Sequence, residues 1–151
     1  MNGPLVLKLG GELIETATAR DAFAAMVAGL RATRPVAIVH GGGRAIDAEL
    51  DRRGIAPKKV DGLRITDAPT RDAVVAVLAG SANTDLVAAL VNAMVPAVGL
   101  TGVDAAMAES QRAPALRSTS GADVDLGLVG DPDDVDPALV ELLMTSGYVP
   151  V

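Results

Sequence analysis

No cysteine occurs in the 151 residues, which excludes disulfides, thiol nucleophiles and iron–sulfur clusters. Tryptophan is absent as well, and Phe23 and Tyr148 are the only aromatic side chains. A platform for stacking nucleic-acid bases is therefore missing. The single histidine, His40, has no cysteine to join it, so a structural zinc site has no ligand set. Positive charge is scarce too. The 13 Lys and Arg stand against 19 Asp and Glu, a net charge of −6, and no basic run forms the footprint that nucleic acid requires. The start, Met1 to Lys8, lacks a basic segment followed by an apolar stretch and a cleavage site, so no signal peptide is expected. Apolar windows are broken by charges, prolines or glycines short of about 18 residues. The expectation is no membrane span and a cytoplasmic location.

What is present is a globular composition, 50% hydrophobic and 21% charged, sized for one domain with a core that needs no staples. Short apolar runs alternate with helical patterns. Leu5–Leu9 reads as a buried strand stopping at Gly10-Gly11, and Pro35–Val39 as a second stopping at His40-Gly41-Gly42-Gly43. Between them, Phe23, Met26, Val27 and Leu30 form a helical stripe over 16–32. A second helix over 44–53 turns Ile46 and Leu50 inward and Asp47, Glu49, Asp51 and Arg52 outward, with Gly54 closing it. Lys58–Ile65 reads as a hairpin about Asp61-Gly62. Asp67 then caps a long helix to Met94, apolar on several sides at Val74, Val75, Val77, Leu78, Leu86, Val87, Leu90 and Val91. Pro96–Leu100 is a third strand. Segments near 115–117 and 126–129 are expected to pair as a hairpin, and the acidic stretch 131–136 to be a solvated loop leading into a helix that ends at Gly147. Tyr148–Val151 begins a fourth strand.

This order predicts an α/β fold: an open, mainly parallel sheet with helices on both faces, plus β-hairpins. Ligands of such sheets bind beyond the carboxyl ends of the strands. Two early strands end there in consecutive glycines, which let backbone approach an anion and present N–H donors to it. Lys8 adds a mobile cation to the same end. The pattern describes a phosphate or carboxylate cradle of Gly10, Gly11 and Gly41. It is not a P-loop, for no G-x-x-x-x-G-K-[ST] run occurs, and Gly41–Ile46 lacks the last glycine of G-x-G-x-x-G.

Lys8-Leu9-Gly10-Gly11-Glu12, Val39-His40-Gly41-Gly42-Gly43 and Asp61-Gly62-Leu63-Arg64-Ile65-Thr66 together resemble the amino-acid kinase superfamily. Within it they are most similar to the acetylglutamate kinases of arginine biosynthesis. Leu78–Asn83, Ala97–Leu100 and Gly147–Val151 fall where that family has similar segments. The resemblance spans the whole chain but about the first half of the family's length. It implies a carbamate-kinase-like fold and phosphoryl transfer from MgATP to the side-chain carboxylate of N-acetyl-L-glutamate.

By resemblance, Lys8 steadies the transferring phosphoryl group, while Gly11 and Gly42 donate N–H groups to it. Gly42, Gly43 and Arg64 hold the amino acid, with Arg64 forked onto its α-carboxylate. His40 is expected to order the glycine turn through local hydrogen bonds. Asn83 remains either a satisfied polar group or a site residue. No protein side chain is assigned to a metal. The resemblance also implies a homodimer built on the 67–94 helix. Residues 1–151 would form the amino-acid-binding and dimerisation lobe, the nucleotide-binding lobe lying beyond Val151. Thr101-Gly102-Val103-Asp104-Ala105 departs from the Gly-Lys-Asp-Gly of many relatives. Two other readings stand beside this one: a non-catalytic binding or dimerisation module, and a kinase for another amino-acid carboxylate such as aminoadipate.

Overall fold

Parallel strand pairing builds the centre of the molecule, which a computed structural model describes over residues 3–151. Met1 and Asn2, the start of the segment read against a signal peptide, lie outside the described residues. Strand β1 (Leu5–Leu9) pairs with β2 (Val36–His40), Leu5 opposite Val36 and Leu9 opposite His40. Strand β5 (Ala97–Val98) pairs in parallel with the last strand, β10 (Val149–Pro150), and β10 packs beside β2. Side chains alternate along a strand. Leu7, Leu9, Val36 and Ile38 therefore share one face, and Val6, Lys8, Ala37 and Val39 the other.

The first face is covered by α1 (Ala17–Arg31) and α4 (Asn83–Asn92), which bring Phe23, Ala24, Val27, Leu86 and Leu90 into one core with the strands. Burying each such aliphatic side chain stabilises by about 1.5–3 kcal/mol. Thr16 caps α1, its hydroxyl accepting from the Ala19 N–H at 3.1 Å. Met26, read as an inward position, is 47% exposed; Ala24 takes its place, because small residues let α1 lie close to α4. Helix α2 (Gly43–Arg52) packs Ile46 and Leu50 against Ala73 and Val77 in a smaller second core. Gly54, at φ +70°, closes it as expected. Strands β3 (Lys59–Val60) and β4 (Leu63–Arg64) form the anticipated hairpin, with Asp61 and Gly62 both at positive φ as a type I′ turn requires.

The long helix is one rod over 68–92, but not a uniform one. It runs as α3 (Ala68–Val75), a π-helical segment Ala76–Ala82, then α4. Asp67 caps it, accepting from the Thr70 N–H at 3.0 Å. The rod corrects the reading of interrupted apolar windows, for by length and a mean hydropathy of 1.8 it could cross a membrane. Its packing gives it another use. Ala73 and Val77 enter the second core and Leu86 and Leu90 the first, so it is the beam joining the two.

The segment after β5 departs most from expectation. Leu116–Arg117 (β7) pairs with Asp123–Val124 (β8) across a turn with Gly121 at φ +85°, not with 126–129. The acidic stretch is strand: β9 (Gly130–Val135) pairs antiparallel with β6 (Ala108–Arg112). Every residue of β9 is exposed, so backbone pairing and a Gln111–Asp133 side-chain hydrogen bond define this ribbon and no apolar alternation announces it. Leu126 and Leu128 instead flank Thr66 through hydrogen bonds of 2.8 and 2.7 Å. Asp61 accepts from both the N–H and the hydroxyl of Thr119. The segment thus braces the β3–β4 hairpin. Helix α5 (Ala138–Thr145) follows and reaches the sheet at β2 and β10.

Candidate active site

Both glycine turns leave the same end of adjacent parallel strands, and the fold brings them into backbone contact. A Cβ built on Gly11 would lie 2.8 Å from the Gly42 Cα and 3.2 Å from the Gly41 carbonyl oxygen. The Gly41 N–H donates to the Leu9 carbonyl at 3.1 Å, stapling the second turn to the end of β1. Gly11 opens a 3-10 turn, Gly42 is the N-cap of α2 and Gly43 its first residue. Their N–H groups have no intrahelical partner, and among the described residues they donate to no turn, loop or cap carbonyl. Three unpaired donors therefore lie in two touching turns at element starts, a setting that suits an anion. Gly10 is exposed beside them.

Lys8 is exposed one residue before β1 ends, opposite Val39, and is in no ion pair with a described residue. Arg64 is handled differently. Its side chain is 14% exposed, and its Nη2 donates to Asp47 Oδ1 at 2.5 Å, while Lys59 Nζ donates to the other oxygen at 2.8 Å. Asp47 lies one turn into α2 from Gly43, so this contact fastens the β4 arginine to the helix that the second glycine turn begins. The other Arg64 amino group, Nη1, is buried without a partner among the described residues. Hydrogen bonds from Lys59 and then Arg64 hold the Asp47 carboxyl below its ordinary value. The sequence pattern puts Asp47 outward as a surface charge, whereas the structure makes it the tether of Arg64 and Lys59. No local pattern singles it out, because its partner Arg64 sits on a hairpin 17 residues further on.

His40 carries out the local role expected of it. Its Nδ1 lies 3.2 Å from the Gly41 carbonyl, and its Nε2 lies 3.4 Å from the Asn83 amide nitrogen. The Nδ1–H tautomer satisfies both, donating to Gly41 and accepting from Asn83. Asn83 also donates to the Val151 carbonyl at 3.3 Å, so it ties the ends of β2 and β10 together. The open question about Asn83 thus resolves toward a satisfied, buried polar group. A cleft of about 310 Å³ lies behind the glycine turns, lined by Gly11, Gly41, Gly42, Arg20, Arg44 and Asp85. Its charges are spoken for: Arg20 pairs with Asp85 and Arg44 with Glu15. Neither Lys8 nor Arg64 lines that cleft. Among the described residues, no group of three or more His, Asp or Glu side chains is placed to hold a metal ion.

Comparison with known proteins bears on the chain as a whole. The model of the family described as "Amino acid kinase family" matches residues 3–151. An acetylglutamate kinase of Solibacter usitatus is 43% identical over 148 residues, covering 97% of this chain and 54% of its own length. One of Myxococcus xanthus is 44% identical over 153 residues, covering 97% and 49%. The chain thus spans about half the length of the curated relatives it matches. Among solved structures, smu.665 from Streptococcus mutans superposes with a TM-score of 0.80 at 23% identity, over 97% of this chain and 56% of that one. A carbamate kinase of Giardia superposes at 0.56 with 12% identity, over 97% and 58%. These likenesses establish the fold.

Proposed function

Starting from the fact that the chain belongs to the amino acid kinase family, we propose that it is the amino-acid-binding lobe of an acetylglutamate kinase of arginine biosynthesis. The reaction is transfer of the γ-phosphoryl group of ATP to the side-chain carboxylate of N-acetyl-L-glutamate. A carboxylate oxygen forms the new P–O bond, and the bond to the departing ADP oxygen breaks. A carboxylate is already a nucleophile, so such chemistry asks for positioning and charge neutralisation rather than a base. The contact between the two glycine turns is the observation that carries this reading. It brings Gly11 and Gly42 together, which supports a shared anion site whose N–H donors would stabilise charge developing in a transition state.

Lys8 brings its ammonium to the same end of the sheet and neutralises the transferring group. Gly10 and Gly41 shape the backbone of the cradle. Gly42 and Gly43 hold the amino acid by their N–H groups, and Arg64 meets its α-carboxylate. Magnesium, which accompanies the nucleotide, meets no acidic cluster among the described residues, and no step assigned to this chain runs through it. Residues 1–151 act as the binding and dimerisation lobe of a cytoplasmic homodimer, with nucleotide binding supplied by another part. Calorimetric titration tests the assignment. N-acetyl-L-glutamate should bind weakly, Arg64→Ala should lose that binding, and equal binding by the variant would remove Arg64 from the site.

A further inference from the structure

We propose that the pocket at the amino ends of β2 and β10 binds a small organic oxyanion, a carboxylate or a phosphate ester, apart from the glycine cradle. Two helix ends build it. Helix α1 finishes at Arg31, and the Arg34 N–H closes back on the Leu30 carbonyl at 3.3 Å, which leaves Arg34 just before β2. Helix α5 is ended by Gly147 at φ +84°, where the Tyr148 N–H donates to the Leu143 carbonyl at 2.9 Å and the chain turns into β10. Between these ends lies a pocket of about 240 Å³, lined by Arg31, Arg34 and Tyr148, with Val36 and Met144 in its apolar wall.

Charge sets this pocket apart. In a chain of net charge −6, nine of the 13 Lys and Arg side chains are in ion pairs with described residues. Arg31 and Arg34 are two of the four that are not, and no acidic side chain lines their pocket. Both are partly buried, and a guanidinium withdrawn from water without a counter-ion is costly. Arg31 offsets part of that cost by donating to the Gly147 carbonyl at 2.8 Å and the Met94 carbonyl at 3.4 Å, which answers the negative ends of α5 and α4. Arg34 makes no such bond to a described residue. The two guanidinium groups are forks of N–H donors that match carboxylate and phosphate oxygens, and Tyr148 adds a phenol to the lining. The apolar wall suits a short hydrocarbon body on the anion. The site is not a rim of the cradle. Strand β2 runs from Val36 in this lining to His40 beside the glycine turn, about 13 Å of extended chain. No residue lines both this pocket and the cleft behind the turns.

The test is an NMR titration of the isotopically labelled chain with butyrate, butyl phosphate and inorganic phosphate, the ionic strength held constant with chloride. Butyrate or butyl phosphate should shift the Arg31 and Arg34 Nε–H signals and the Tyr148 amide saturably, and the tighter of the two names the head group. Inorganic phosphate should reach the same residues several-fold more weakly than butyl phosphate. Arg34→Gln should keep the melting temperature and weaken binding tenfold or more. Arg34→Lys, which keeps the charge and loses the fork, should fall between, and Lys8→Ala at the cradle should leave the affinity unchanged. Unchanged binding in Arg34→Gln, equal shifts at the exposed Arg71 and Arg117, or no saturation at tens of millimolar ligand would overturn the proposal. Inorganic phosphate binding as tightly as butyl phosphate would contradict the organic body of the ligand.

Discussion

A methyl group on Gly11 would press into the backbone of Gly42, and backbone has nowhere to rotate. Gly11→Ala should therefore destabilise by about 1–3 kcal/mol, at about 2–4 °C of melting temperature per kcal/mol for a chain of this size. An unchanged melting curve would mean the turns do not touch. Gly43 has open space where a Cβ would go, so Gly43→Ala should keep its melting temperature while weakening N-acetyl-L-glutamate binding. The two variants separate packing from recognition within one motif. Asp47 gives a pH signature. Its folded pKa is depressed below 3.8 by Lys59 and Arg64, so its contribution is full above the unfolded value and fades as pH falls through the lowered one. Melting temperatures measured downward from about pH 6 should fall more steeply for the natural chain than for Asp47→Asn once below about pH 4; parallel curves would show that the Asp47 contacts add no stability. Of the site, the glycine runs, Lys8 and Arg64 were legible as residues. The Asp47 tether was not, because it joins positions 17 residues apart through a hairpin whose docking no local pattern encodes.

Among the elements, the strands ending in glycine, the helical stripe of α1 and the capped start of α3 could be read directly, since hydrophobic period and cap chemistry are local. The β7–β8 and β6–β9 ribbons could not. The β6–β9 residues are nearly all exposed and pair across a long stretch of chain, while β7 and β8 are only two residues each, so neither leaves a periodicity in sequence. The π-helical segment was equally hidden, for Ala76–Ala82 is as good an α-helix former as its flanks apart from Gly80. Val75 and Val91 stay more than half exposed on the rod, and Met94 just past its end is 85% exposed. The homodimer proposed through this helix would cover them. Sedimentation equilibrium should give twice 15.2 kDa for the natural chain and a shift toward monomer for Val91→Asp. A single 15.2 kDa species at every concentration would refute that assembly.

At the scale of the molecule, one sheet face is finished, one is half open, and the two touching glycine turns proposed as an anion cradle sit at the carboxyl ends. Phosphoryl transfer needs groups on both the attacking and the leaving side, and the cradle supplies one side. The chain alone should therefore form no acyl phosphate from ATP and N-acetyl-L-glutamate when assayed by hydroxamate trapping. The central claim is that this cradle binds the amino acid. Its most direct test is an NMR titration of the isotopically labelled chain with N-acetyl-L-glutamate, following backbone amides and the arginine side-chain signals. The account predicts saturable shifts at Gly11, Gly42, Gly43 and Arg64, with the β6–β9 ribbon unmoved. Shifts confined to other parts of the chain, or none at millimolar ligand, would contradict it.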